Sequence, residues 1–105
     1  MLRERVSRPR STPPPIADFG LSPAHPAIAD EVRLYDFSYD PGGVGISIRS
    51  WEFGDGDTST KVSPRHRFET EGTYEVQLTV STFDGRKTST TRAVRVGGEA
   101  PGAES

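Results

Sequence analysis

Residues 73–82, TYEVQLTVST, set Tyr74, Val76, Leu78 and Val80 at every second position, with Thr73, Glu75, Gln77 and Thr79 between them. A period of two sends successive side chains to opposite faces of an extended chain. The segment therefore reads as a strand with one face in a core and one in water. EVRLYDFS (31–38) repeats the pattern, with Val32 and Leu34 set against Arg33, Tyr35 and Phe37. IADFGLS (16–22) sets Ala17, Phe19 and Leu21 against Ile16, Asp18 and Gly20. GISIRSWEF (45–53) alternates Ile46 and Ile48 with Ser47, Arg49, Trp51 and Phe53, and TSTTRAVRV (88–96) closes on Ala93 or Val94 and on Val96. The turn signals SPAHP, DPGG, GDGD, VSP, TEG and FDG separate these runs. No window carries a sustained helical stripe and no internal repeat is present. Short strands at roughly ten-residue spacing predict an antiparallel β-sandwich or barrel.

The rest of the chain narrows this further. Its 105 residues are one domain's worth, and only 31% are hydrophobic, so the core must be small and fully used. Residues 1–15, MLRERVSRPRSTPPP, are polar, basic and end in three prolines. Residues 97–105, GGEAPGAES, are small and polar. Both are expected to be flexible linkers or tails around a domain at 16–96. The absence of cysteine excludes a disulfide frame, a thiolate metal site and a cysteine nucleophile. Thirteen Lys and Arg against 15 Asp and Glu make no electrostatic case for a nucleic-acid partner. No apolar run is long enough to cross a membrane, and the basic start lacks the apolar stretch of a signal peptide. The segment is expected to be monomeric and to belong to a longer chain.

One detail selects the sandwich. In EGTY (71–74) a tyrosine stands two residues before Val76, as the tyrosine corner of immunoglobulin-type domains stands two residues before a cysteine. Trp51 lies on an earlier strand, where such domains keep a core tryptophan. Val76 and Leu34 then occupy the places of the two cysteines, held by packing alone.

With those residues in view, the chain resembles the PKD (polycystic kidney disease) domain family. WEFGDGDTST, PRHRFETEGTYEVQLTV and FDG follow the family's W-D-F-G-D-G, H-x-Y/F and G-T-Y-x-V-x-L-x-V pattern in order, and YDPGG and SPAHP match its earlier turns. Glu52 replaces the usual aspartate, and Gly42 stands where a second acid is usual. The resemblance implies an all-β, immunoglobulin-like sandwich of about seven antiparallel strands without a disulfide. It implies a non-catalytic module, extracellular or at the cell surface, acting as spacer, adhesion or protein and polymer contact unit beside neighbouring domains. The alternative is a substrate-binding accessory domain of a secreted hydrolase, with a polysaccharide or protein fibre as ligand. Its structural motif residues here are Trp51, Phe53, Gly54, Asp55, Gly56, His66, Gly72, Tyr74 and Val76. By position in the family, Asp40 and Asp84 are candidate calcium ligands, with affinity weakened by Gly42.

The residues themselves favour plainer roles for the chemistry-bearing groups. His66 lies in a strand-like segment between Arg65 and Arg67, and His25 in a turn between Ala24 and Pro26, so neither is placed as a base beside a nucleophile. No catalytic residue is expected. Gly54 and Gly56 supply positive φ, while Asp55 and Asp57 bond the turn's own amides. Asp40 and Asp84 cap turns in the same way. Tyr35, Phe37, Tyr39 and Phe83 are candidate ligand-contact aromatics, but the shortage of apolar residues favours ordinary core or edge packing for them.

Overall fold

The computed structural model describes residues 13–97. Seven antiparallel strands form two sheets: β1 (Phe19–Ser22), β2 (Val32–Asp36), β3 (Ile46–Glu52), β4 (Thr58–Ser59), β5 (Arg65–His66), β6 (Gly72–Thr82) and β7 (Lys87–Val96). One sheet has the order β1-β2-β5 and the other β4-β3-β6-β7. Of the two expected linkers, residues 1–12 and 98–105 lie outside the described residues. Pro15, at the end of the first, is buried.

The alternation in residues 73–82 forms the centre of the larger sheet. β6 is flanked by β3 and β7, and its Val76, Leu78 and Val80 are buried together with Trp51, Val94 and Val96 from those neighbours and with Phe53 just after β3. Phe19, Val32 and Leu34 of the smaller sheet, with Phe68, complete the core. The choice between Ala93 and Val94 falls to Val94, since Ala93 is exposed. Trp51 is fully enclosed and meets Phe19 edge to face at 5.2 Å. Its indole N–H would be costly if left bare, and it donates to the Lys61 carbonyl at 2.8 Å. The tyrosine corner is present: Tyr74 Oη donates to the Thr70 carbonyl at 2.8 Å. Val76 and Leu34 are both buried in the core.

β3 departs from simple alternation. Its register on β6 shifts between Ile46 and Ile48, because one extra residue there opposes none on the partner. Ile46 packs on the core and Ile48 is exposed, although the sequence places them on one face. Beyond the shift, Arg49 and Trp51 lie opposite Val80 and Leu78. Arg49 thus points inward and pairs with the enclosed Asp36 carboxylate of β2, an ion pair joining the two sheets. β4 and β5 are only two residues long, too short to show a period in the sequence.

Candidate functional site

β3 runs from one end of the sandwich to the other, and each end holds an aspartate cluster. At the far end, WEFGDGD leaves β3 in a turn with Gly54 at φ 85° and Gly56 at φ 98°. Gly54 is required twice over: a Cβ there would lie 2.8 Å from the Glu75 carbonyl oxygen of β6. Asp55 Oδ1 accepts the Asp57 amide at 3.1 Å, as expected of a turn. Among the described residues the Asp57 side chain bonds no turn amide; its part in closing the turn is through its carbonyl, which accepts the Phe53 amide at 3.1 Å.

The sequence reading missed the second partner of Asp55. His66 Nε2, eleven residues on, donates to Asp55 Oδ2 at 2.7 Å. The imidazole lies flat on Phe53, with centroids 4.1 Å apart and planes 8° apart, and meets Phe68 edge-on at 4.6 Å. Phe68 in turn stacks on Tyr74 at 4.5 Å. The motif residues Phe53, Asp55, His66 and Tyr74 are therefore one stack tied to one turn. Ligand atoms of Asp55, Asp57 and His66 lie within 4.8 Å of one another, a spacing that suits a metal. However, both Asp55 oxygens are engaged, and Arg65 and Arg67 line the adjoining cavity beside Asp57 and His66. The arrangement is a turn locked to a strand.

The near end joins the β2–β3 loop to the β6–β7 hairpin. Asp40 and Asp84, the candidate calcium ligands, do come together there, but about the guanidinium of Arg86. Asp40 Oδ1 accepts the Gly42 amide and Arg86 Nη1, and Oδ2 accepts the Val44 and Gly45 amides and Arg86 Nη2, all between 2.8 and 3.0 Å. Five donors fill a carboxylate with about four lone-pair sites. Asp84 accepts from the Thr82 hydroxyl and from Arg86 Nε. The turn-capping expected of Asp40 is seen at three amides; Asp84 instead binds side chains. Arg86 holds the Asp40 carboxyl well below the usual carboxylate range, helped by the three amides. The Thr82 hydroxyl, and then Arg86, lower the Asp84 carboxyl. The Asp40 side chain is 1% exposed. These residues do not fit a calcium ion, because every inward lone pair of Asp40 is already taken and a fixed cation stands between the acids.

The third feature is a face. Tyr35, Phe37 and Tyr39 are 38%, 58% and 59% exposed, and Phe83, 72% exposed, lies in the β6–β7 hairpin beside Gly45. The core or edge packing favoured by the sequence is therefore corrected: Phe19, Trp51, Phe53 and Phe68 close the small core without them. Once Val32 and Leu34 point inward, residues of the opposite parity must point out. The Tyr35 and Phe37 rings are nearly parallel, 12° apart, with centroids at 6.4 Å. The Phe37 ring rests on Gly20 of β1, where an added Cβ would come within 2.9 Å of it. Gly20 pairs directly with Tyr35, so β1 supplies a flat bed for the two rings.

Comparisons with known proteins agree with this architecture. A family profile described as PKD domain matches residues 12–96. A microbial collagenase of Vibrio alginolyticus is 42% identical over 57 residues, 54% of this chain and 7% of that protein. The chain thus spans a small part of that relative's length. A solved structure of carbohydrate-binding modules from the β-sandwich superfamily, described for their promiscuous specificity, superposes with TM-score 0.79 at 28% identity, covering 87% of this chain and 37% of that one. The PKD1 domain of Vibrio anguillarum Epp superposes with TM-score 0.74 at 27% identity, covering 85% of this chain and 100% of that one.

Proposed function

Because the chain belongs to the PKD domain family, we propose that it is a non-catalytic contact module of a larger extracellular or cell-surface protein, holding a polymer against its aromatic face. The carrying observation is the row Tyr35, Phe37 and Tyr39, exposed at alternate positions of an extended chain. Apolar rings cost free energy in water, and a nearly parallel pair on a glycine bed is shaped for a repeating ligand rather than for a core. A collagenase relative and a carbohydrate-binding neighbour support a polymer as the ligand class, protein fibre first. Such a module serves a hydrolase as an accessory domain. The cavities beside Asp57 and Arg67 are open and lined mostly by charged side chains, a poor setting in which to tune a carboxylate or histidine for catalysis.

A spacer role is favoured by a separate observation. Pro13 lies against Arg86 at the hairpin end, whereas Gly97 bonds the Pro26 carbonyl beyond the last residue of β7. Chain entry and exit thus lie at opposite ends of a ten-residue strand, roughly 30 Å apart. A module threaded this way separates its neighbours by its own length.

The test is co-sedimentation of the protein with insoluble collagen and, separately, with chitin. Wild type is expected to pellet with the collagen, and a Tyr35→Ser, Phe37→Ser, Tyr39→Ser variant to lose at least about tenfold in affinity, given that stacked aromatic anchors dominate such contacts. Equal binding by the variant, or no retention of wild type on either polymer, overturns the reading. Retention on chitin alone transfers it to polysaccharide.

A further inference from the structure

We propose that Arg86 is a built-in cation that takes the place of a dissolved metal ion at the hairpin end and clamps the incoming chain to the domain. Three segments converge on its side chain. The Asp40 loop is held by both Nη atoms, at 2.8 and 3.0 Å. The hairpin tip is held through Asp84, by Nε at 3.0 and 3.1 Å. The entering chain is held by Nη1, which donates to the Pro13 carbonyl at 2.6 Å.

The arrangement has the chemistry of a cation site with the cation attached. Asp40 carries a formal negative charge on a side chain that water barely reaches. An enclosed carboxylate of that kind must be paired. A metal would supply the charge by binding from solution, at an affinity that follows its concentration. A guanidinium supplies it covalently, and its planar fork matches both Asp40 oxygens at once. The hairpin places it: Thr82 accepts the Arg86 amide through Oγ1 at 2.9 Å and its own amide donates to the Arg86 carbonyl at 2.8 Å, so the base of the side chain is fixed. Three residues on, Ile16 pairs with Tyr39: the Ile16 amide donates to the Tyr39 carbonyl at 2.8 Å, and the Ile16 carbonyl accepts the Tyr39 amide at 3.0 Å. Arg86 and this bridge together set the direction in which the chain enters, independently of any ligand on the aromatic face.

The experiment is thermal unfolding of the 105-residue chain and its Arg86 variants, with and without millimolar calcium, alongside amide hydrogen exchange. Wild type should melt at the same temperature in both conditions. Arg86→Ala should melt about 10 °C lower, because it strands the Asp40 charge, and calcium should recover a substantial part of the loss where sodium chloride of equal ionic strength does not. Exchange at the Ile16 amide should quicken in the variant. Arg86→Lys keeps a charge without the fork and should melt between the two, which preserves the test should Arg86→Ala fail to fold. A clear rise of the wild-type melting temperature with calcium, an Arg86→Ala protein that melts like wild type or ignores calcium, or an Arg86→Lys protein indistinguishable from wild type would overturn the built-in cation. Unchanged exchange at Ile16 would overturn the clamp.

Discussion

The two ends of the sandwich solve the same problem with different physics. Each must close a glycine-containing turn with an aspartate whose amide bonds leave charge to be balanced. At the WEFGDGD end, Asp55 takes a hydrogen bond from His66, and the imidazole is held by aromatic rings on two sides. At the DPGG end, Asp40 is balanced by Arg86, and the guanidinium is held by carboxylates and a carbonyl. The first end is mainly a matter of packing, the second of charge. Packing is short-ranged and indifferent to salt, whereas an enclosed charge must be paired at any cost to the local geometry.

The largest test strikes the core beneath both ends. Trp51→Ala empties the centre of the aromatic cluster and should cost about 3–5 kcal/mol, read by denaturant unfolding. Both ends should be lost in one cooperative transition; survival of either end alone would show that they are independent. Next, His66→Ala should cost about 2–4 kcal/mol by removing a ring packed between Phe53 and Phe68, whereas Asp55→Ala should cost only about 1 kcal/mol for its hydrogen bonds. Equal losses would mean that the hydrogen bond, not the stack, holds this end. Gly54→Ala should cost about 1–3 kcal/mol from its positive φ and its contact with the β6 backbone.

Acid then separates the ends. Asp40 is depressed in the folded protein, so its contribution is fully present above the ordinary value of 3.8 and is lost as pH falls below it. The folded value lies so far down that only the first part is lost by about pH 3. The melting temperature of wild type should therefore fall in that range more steeply than that of Asp40→Asn; parallel curves would remove Asp40 from the explanation. The smallest effect is at the exposed pair Arg65–Glu31, 3.5 Å apart. Glu31→Ala should change stability by no more than about 0.5 kcal/mol, because exposed pairs are screened by water and salt.

Much of the far end was legible in the sequence because its parts are local. Gly54, Asp55 and Gly56 are neighbours, and the role of Tyr74 follows from its distance to Val76. What was not legible is the bond from Asp55 to His66, since nothing in a turn motif points to a ring on another strand. The near end was less readable still. Arg86 stands 46 residues from Asp40, and in the sequence it is one of 13 cations. The exposed aromatics were misjudged for a related reason. Composition counted apolar residues and assumed each was needed inside, but only the packed volume shows that four aromatic rings and a set of aliphatic side chains already fill the core.

The sequence by itself determined the strand periodicity, the turns, the tyrosine corner and the family, because these rest on alternation and on residue types at fixed short offsets. Tertiary structure alone decided the register shift that turns Ile48 outward and Arg49 inward, the aromatic face bedded on Gly20, and the union of Pro13, Asp40, Asp84 and Arg86. Each of those depends on where a distant segment arrives, and that is set by how two sheets fill one core rather than by any local pattern.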